Sequence, residues 1–168
     1  SEHRVRPARV AMVALAVVAT IGIAGCGSTE VLPDPSATVS AQSLPIQAKF
    51  TADGEVVMLE VARTPEQQDV GLMYRTDLAP DRGMLFPVQP AREMSFWMKG
   101  TLIPLDILFL RDGVVTKIDA NVPPCDASPC TNYTSGAPVD QVIELKAGRA
   151  AELGITPGDE LLVTPTTA

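Results

Sequence analysis

Cys125 and Cys130 are the residues of this chain whose type and spacing most directly predict chemistry, because only four residues separate them. Two cysteines this close pair as a disulfide in a chain that leaves the cytoplasm. A redox-active pair is less favoured, because the spacing is not Cys-x-x-Cys and no neighbouring cation would stabilise a thiolate. A metal-binding pair of thiols is the third alternative. We therefore predict a structural disulfide that stiffens residues 123–135.

Segment 93–99 concentrates soft and aromatic side chains. It holds the only tryptophan of the chain and two of its six methionines. Alternate residues of a strand face opposite sides. In a strand here, one side would pack in the core and consists of Met94, Phe96 and Met98. The other side would be exposed and consists of Ser95, Trp97 and Lys99. The alternative to core packing is copper(I) carriage by thioethers, which are soft ligands, with Met73 and Met84 nearby.

Polar and aromatic residues in neighbouring segments would suit a small ligand. Asp106 opens the apolar run 107–110, where a carboxylate must be hydrogen-bonded, paired or exposed to solvent. It would either accept backbone N–H bonds in a turn or lie at the mouth of a barrel. Tyr133 and Ser135 would hold a polar ligand on a stiffened loop or belong to an ordinary surface turn. The candidate ligand-binding set is Arg75, Trp97, Lys99, Thr101, Asp106, Tyr133 and Ser135.

An enzymatic alternative uses paired carboxylates. Asp106 and Asp119 would serve a hydrolase that acts on envelope glycans, provided that both face one cleft about 5–10 Å apart. The chain has no other arrangement of nucleophile and base. We therefore predict no catalytic residue, no metal ligand and no cofactor, and favour a non-catalytic module that binds a small ligand or a partner protein.

Residues 4–26 have the layout of a secretory signal, with three arginines, an uncharged and mostly apolar run from Val10, and small residues before Cys26. The ending Ile-Ala-Gly-Cys resembles the lipobox of bacterial lipoproteins, which implies cleavage before Cys26 and its lipidation. The run is too short for a transmembrane helix, which needs about 20 residues. We expect an exported protein, anchored by lipid to the outer face of the cytoplasmic membrane or to the outer membrane.

Cleavage before Cys26 would also limit the chemistry of the remaining chain. It removes the only histidine, His3, and so excludes Ser-His-Asp and Cys-His catalysis and His-rich zinc sites. It also removes three arginines and Glu2, which moves the formal net charge from -7 to -9. An acidic domain without a basic cluster is a poor binder of nucleic acid. The expected partners are the membrane, through the anchor, and a small molecule or an envelope protein.

Composition divides the chain into three parts. Residues 1–25 are the predicted signal peptide. Residues 26–47 contain the lipidated cysteine and a linker rich in Ser, Thr and Pro, which cannot bury a core. Residues 48–164 have the length of one small domain.

The elements that must position the candidate residues are short strands and two short helices. The predicted strands are 55–62, 82–88, 93–99, 105–111, 114–120, 139–145 and 160–163. The first helix is predicted to start with a capping box formed by Thr64 and Gln67, with Pro65 at its first position, and to continue to Tyr74. The second helix is predicted over residues 147–153. The dipeptide Asp112-Gly113 between two apolar runs predicts a hairpin. The fold class is therefore α+β and β-rich, a small closed or partly closed antiparallel barrel-like domain with two short helices.

Several short motifs follow one another in a recognisable order. They are Gly71-Leu72-Met73-Tyr74-Arg75, Gly83-Met84-Leu85-Phe86, Ser95-Phe96-Trp97-Met98-Lys99, Ile103-Pro104-Leu105-Asp106-Ile107, Pro123-Pro124-Cys125, Glu144-Leu145 and Gly158-Asp159. Together they resemble the bacterial and archaeal family called domain of unknown function 192, over roughly 48–163. The resemblance implies a compact β-rich domain, often exported, and no particular activity. Gly100 stands where the family pattern has asparagine.

Overall fold

The architecture is that of a computed structural model, which describes residues 40–166. Within that range the chain forms nine strands and two short helices. In chain order they are β1 (Ile46–Ala52), β2 (Glu55–Val61), α1 (Pro65–Val70), β3 (Arg82–Arg92), β4 (Ser95–Trp97), β5 (Leu105–Arg111), β6 (Val114–Val122), β7 (Asn132–Thr134), β8 (Val139–Lys146), α2 (Arg149–Glu152) and β9 (Thr164–Pro165). The predicted β-rich class with two short helices is confirmed.

Seven of the strands form one sheet in the order β6-β5-β8-β3-β2-β1-β9, while β4 and β7 form a separate two-stranded ribbon. All neighbouring pairs are antiparallel except β2 and β3, which are parallel. Because parallel neighbours need a crossover, α1 lies in the connection between them. No closed barrel is found among residues 40–166, so of the expected closed or partly closed barrel-like sheet only the mostly antiparallel sheet is confirmed.

The C-terminal segment links the two edges of this open sheet. Glu160 forms an isolated bridge with Val114 at the start of β6, and a few residues later β9 pairs with β1 at the opposite edge. Leu161 between them is 3% exposed and packs in the core. The predicted strand 160–163 is therefore a link between the edges rather than a strand.

The sheet is buried on both faces, against two apolar clusters. The central strands β5 and β8 contribute to both clusters, because alternate residues face opposite sides. In β5, Leu108 belongs to the cluster packed with α2, and Ile107 belongs to the cluster packed with residues near α1. Each of these strands also buries one carboxyl, Asp106 in β5 and Glu144 in β8.

Helix α1 starts as predicted and ends earlier. Its capping box is confirmed, since the Gln67 N–H donates to Thr64 Oγ1 at 3.3 Å and the Thr64 N–H donates to Gln67 Oε1 at 3.1 Å. The helix ends at Val70 rather than Tyr74, because Gly71 has φ +47°, a conformation that favours glycine. A Cβ at this position would also lie 3.4 Å from the Phe86 ring. The early end of the helix brings the backbone of Gly71 against that ring.

Residues just before position 48 are bonded to the sheet and to α1. Strand β1, which the sequence pattern does not predict, starts at Ile46. The Gln42 amide donates to the carbonyls of Gln67 and Gly71, both at 2.8 Å, and the Leu44 N–H donates to Glu60 at 2.7 Å. These bonds attach the last residues of the predicted linker to the domain.

The signal peptide 1–25 and Cys26 lie outside the described residues. Within residues 40–166, none of the helices has the length and apolar character needed to cross a membrane.

Candidate functional site

A cleft of about 650 Å³ lies between α1, the turn after it, strand β3 and the ribbon β4–β7. Much of its lining is apolar or aromatic, including Leu72, Phe86 and Phe96, and polar groups are interspersed among these residues. Concave sites of this size and mixed lining are where proteins bind small molecules. We therefore take this cleft as the candidate site.

Glu144 is the buried carboxyl of the cleft. It lies on β8 between Met84 of β3 and Ile107 of β5, and it is 6% exposed. Burial raises the pKa of this carboxyl to about 8, and within residues 40–166 no hydrogen bond or neighbouring charge offsets that effect. At neutral pH the group is therefore mostly a neutral acid, which can both donate and accept a hydrogen bond. A buried group with a strongly shifted pKa in a cleft marks a functional candidate.

Aromatic rings form the neighbouring wall. The Phe96 ring meets Phe86 edge-on at a centroid distance of 5.2 Å and Phe109 at 6.1 Å, a favourable geometry for aromatic pairs. Trp97 is 50% exposed and lines the cleft. The Lys99 ammonium lies 5.5 Å from the centre of the Trp97 ring. The alternation predicted for this segment is confirmed, since Met98 is buried while Trp97 and Lys99 are exposed.

The ribbon β4–β7 positions Trp97. Trp97 pairs with Asn132 across the ribbon, and beyond its other end Ser135 is buried. The Ser135 N–H donates to the Met94 carbonyl at 2.9 Å, and Ser135 Oγ accepts from the Met94 N–H at 3.0 Å. Ser135 therefore joins the two strands rather than pointing a free hydroxyl at a ligand.

The loop that precedes β7 contains a disulfide between Cys125 and Cys130, with a Cα–Cα distance of 5.9 Å. Lys99 forms an isolated bridge with Cys125, so the loop also contacts the segment after β4. Tyr133 lines a smaller cavity of about 170 Å³ beside this disulfide and does not line the main cleft.

Arg75 serves a different part of the fold. Its guanidinium forms two bonds with the Glu60 carboxylate, at 2.7 and 2.6 Å, and a third with the Gln42 carbonyl at 2.8 Å. The arginine therefore holds the segment before β1 against the domain, and it does not line the cleft.

Asp106 is fully buried and bonded to backbone. Its carboxyl accepts the N–H groups of Asn121, Gly148 and Ala150 at 2.8, 3.0 and 2.9 Å. This is the turn-carboxylate alternative, and Asp106 does not line the cleft. Of the seven predicted ligand-binding residues, the structure brings only Trp97 and Thr101 to the cleft wall, with Lys99 beside Trp97.

The carboxylate pair of the hydrolase hypothesis does not form. Asp119 pairs with Ile107 and so shares its face of the sheet, whereas Asp106 is the preceding residue of β5 and faces the other side. Asp119 instead accepts from Lys117 at 2.8 Å. These two carboxyls therefore cannot act together in one cleft.

The methionines are divided between core and cleft. Met84 and Met98 are buried, whereas Met73 and Met94 line the cleft. Copper(I) carriage would therefore have to begin with Met73 and Met94. Among residues 40–166, no three His, Cys, Asp or Glu side chains are grouped as a metal site would require.

Sequence reasoning missed Glu144 as a site residue. The available signal was a carboxylate between Ile143 and Leu145 in an apolar strand, the same signal that singled out Asp106. Asp69, Arg92 and Asn132, which add polar groups to the cleft, carry no such signal, because exposed polar residues are common.

Residues 48–163 match the model of a protein family, DUF192, described as an uncharacterized ACR. The chain belongs to this family. The matched range includes every residue that lines the cleft, so the cleft lies within the DUF192 domain. No curated protein matches the chain.

Two crystal structures are similar to this DUF192 chain. A protein of unknown function from Novosphingobium aromaticivorans DSM 12444 is 38% identical with a TM-score of 0.65, and the match covers 75% of this chain and 94% of that one. A protein from Sinorhizobium meliloti 1021, described as a "putative transcription regulator", is 37% identical with a TM-score of 0.62, covering 75% and 97%. The family resemblance predicted from the motifs is confirmed.

Proposed function

We propose that the protein is a membrane-anchored, extracytoplasmic lipoprotein whose DUF192 domain binds a small molecule in the cleft beside Trp97. Glu144 is the observation that carries this proposal. Its side chain is largely removed from water, none of the hydrogen bonds among residues 40–166 reaches its carboxyl, and it lines a cleft large enough for a ligand; burial of a carboxyl under these conditions costs folding free energy. A bound molecule that pairs with the carboxyl would offset that cost.

The rest of the lining fits the same role. The rings of Phe86, Phe96 and Trp97 offer apolar surface for the body of a ligand. The exposed Asp69 and Arg92 offer polar groups of opposite charge that would orient it. Apolar contact with a few placed polar groups is the usual division of labour in small-molecule sites.

The lipid anchor and the partners are part of the same proposal. The anchor is supported by the arginines, the apolar run and the small residues before Cys26. A lipid anchor would keep the cleft near the outer surface of a membrane, where it would meet a small molecule or an envelope protein. The formal net charge of -7 disfavours nucleic acid as a partner.

An enzyme is the second candidate function, and the same carboxyl favours it. A pKa near neutrality suits a general acid, and Glu144 would take that role in place of the separated Asp106 and Asp119. The two functions differ in the molecule that is released: a binding module releases its ligand unchanged, whereas an enzyme releases a product. Turnover that is lost in Glu144→Gln while binding persists would favour the enzyme.

The test of the binding proposal is native mass spectrometry of the protein purified from membranes of cells that produce the full chain. We expect a mass above that of the polypeptide and its lipid, and we expect the excess to be lost on unfolding. Ser95→Phe places a ring in the cleft from an exposed strand position and should abolish the excess. Thr51→Phe, equally exposed on β1 but outside the cleft, should retain it. No excess mass, or an excess that persists in Ser95→Phe, would contradict the proposal.

A further inference from the structure

The cleft combines aromatic rings, a second acid and a buried carboxyl that has no hydrogen-bond partner in the part of the chain that the structure describes. Glu144 is 6% exposed and lines the cleft, and burial alone accounts for its shifted pKa. Phe86, Phe96 and Trp97 line the same space, and Asp69 is exposed on its α1 side. Phe86 and Phe96 contact each other and Lys99 lies beside Trp97, but none of the hydrogen bonds among residues 40–166 reaches the Glu144 carboxyl, so the carboxyl is available to a ligand.

The charge of the ligand decides how well these groups are satisfied. An anion would face the carboxyl of Glu144 and would hold it in the neutral form at best. A neutral molecule would exchange hydrogen bonds with the neutral acid and leave the aromatic rings as plain apolar surface. A cation would draw the proton from Glu144, form an ion pair in a low-dielectric setting, and be attracted to the aromatic rings as well.

The other charges at the cleft are mixed in sign. Asp69 and Arg92 line it with opposite charges, and the Lys99 ammonium beside Trp97 adds a second positive charge. Because all three side chains are exposed, solvent and salt screen them more than they screen the buried Glu144. Lys117 and Asp119 on β6 are already paired at 2.8 Å. The formal net charge of -7 would also draw cations towards the molecule.

We infer that the ligand of the cleft is an organic cation, an amine or guanidinium on an apolar body, whose charge pairs with Glu144. This inference rests on the proposed binding function and names the class of its ligand. The apolar body lies against Phe96 and Trp97, and the cationic end reaches the buried carboxyl.

Trp97 makes the inference directly measurable, because it is the only tryptophan of the chain and lines the cleft. The full chain in detergent is titrated with three probes of similar size, 2-phenylethylamine, 2-phenylethanol and 3-phenylpropanoate, and Trp97 fluorescence is followed. We expect the amine to bind at least about tenfold more tightly than the alcohol, and the carboxylate to bind least. In Glu144→Gln the amine should lose this advantage. Glu93→Gln, which removes an exposed carboxylate next to Arg92, should keep it.

The pH dependence gives a second readout that simple loss of folding would not reproduce. The amine binds the ionised form of Glu144, so its affinity should rise up to about tenfold per pH unit between pH 6 and pH 8 and then level off. The alcohol should show no such rise, and neither should the amine with Glu144→Gln. Residues 40–166 contain no histidine that would titrate in the same range.

Equal affinity for the amine and the alcohol, or a preference for the carboxylate, would overturn the cation inference. So would an amine affinity that is unchanged in Glu144→Gln or independent of pH. If none of the probes alters Trp97 while native mass spectrometry still detects a ligand that Ser95→Phe displaces, the cation inference fails and the binding proposal stands.

Discussion

Asp106 and Glu144 are two buried carboxyls on adjacent strands, and their surroundings give them different roles. Asp106 accepts three backbone N–H bonds, whereas within residues 40–166 the Glu144 carboxyl has no hydrogen-bond partner. A satisfied buried carboxyl stabilises the fold, and an unsatisfied one destabilises it until a partner arrives. This difference assigns a structural role to Asp106 and supports the proposal that Glu144 pairs with a ligand.

The sequence cannot distinguish these two residues, because the distinction depends on distant parts of the chain. Both are acids with an apolar residue on each side in a strand. The three N–H donors to Asp106 lie 15, 42 and 44 residues further along the chain. No local sequence pattern indicates these donors. The sequence therefore allows the interpretation of Asp106 as a turn carboxylate but does not distinguish it from a carboxylate at a ligand site.

We predict that Glu144 makes the stability of the ligand-free protein fall as pH rises. Its pKa is about 8 in the folded state and near 4.3 in an unfolded chain, so burial of this carboxyl destabilises the fold least below about pH 4 and destabilises it progressively more as pH rises to about 8. Relative to Glu144→Gln, the free energy of unfolding of the unmodified protein should therefore fall by about 1.4 kcal/mol per pH unit in this window. Urea unfolding at pH 5, 6, 7 and 8 measures it. Parallel pH profiles for the two proteins would refute the shift, and Glu93→Gln should follow the unmodified protein.

We predict that Asp106→Asn lowers the free energy of unfolding by roughly 2–4 kcal/mol. The amide replaces one acceptor oxygen with an NH₂ group that faces backbone donors at a fully buried position. Chemical denaturation measures the loss. Asp126→Asn, at an exposed position in the disulfide loop, should change stability by less than about 0.5 kcal/mol. Similar stability for Asp106→Asn and the unmodified protein would show that its three bonds contribute little.

At the scale of elements, short sequence motifs were sufficient to predict features that depend only on neighbouring residues, such as helix starts and tight turns. The capping box starts α1 as predicted, and the Asp112-Gly113 turn joins β5 to β6 with φ values of 51° and 78°. Strand β7 is three residues long and is stabilised by its pairing with β4, a partner that the sequence does not reveal. The parallel pairing of β2 with β3 is likewise a property of the whole fold.

The ribbon β4–β7 gives an element-scale prediction about the disulfide. Replacing Cys125 and Cys130 by serine together should lower the free energy of unfolding by about 2 kcal/mol, because the unfolded chain is no longer constrained. Asn132 opposite Trp97 follows Cys130 by two residues, so a looser loop should also lower the fluorescence anisotropy of Trp97. Unfolding and anisotropy measurements test both effects. The unmodified protein under reducing conditions should match the double variant, and a disulfide-bonded protein with identical values would contradict the prediction.

At the scale of the molecule, the cleft exists only once distant segments are assembled. Its lining residues lie between positions 65 and 144, on α1, β3, β4, β7, β8 and the turns beside them. The sequence predicted most of these elements one by one, and it supplied Trp97 and Thr101 as candidates. It did not supply the sheet order, since the positions of β8 between β5 and β3 and of β9 at the far edge depend on long-range pairing. The same limitation explains why a closed or partly closed barrel-like sheet was expected and Glu144 was not.

The last prediction concerns the proposed anchor and the reach of the cleft. Mass spectrometry of the N-terminal peptide of the membrane-purified protein should find Cys26 as the first residue, carrying acyl chains. Cys26→Ala should retain residues 1–25 and carry no acyl chain, whereas Cys125→Ser should be processed normally. A peptide that begins before Cys26, or an unmodified Cys26, would refute the anchor. Among residues 40–166, Gln42 is the first whose side chain is bonded to the domain, and fifteen residues of sequence separate it from Cys26. Fifteen residues span at most about 50 Å even when fully extended. The cleft would then sample ligands only in a thin layer at the membrane surface.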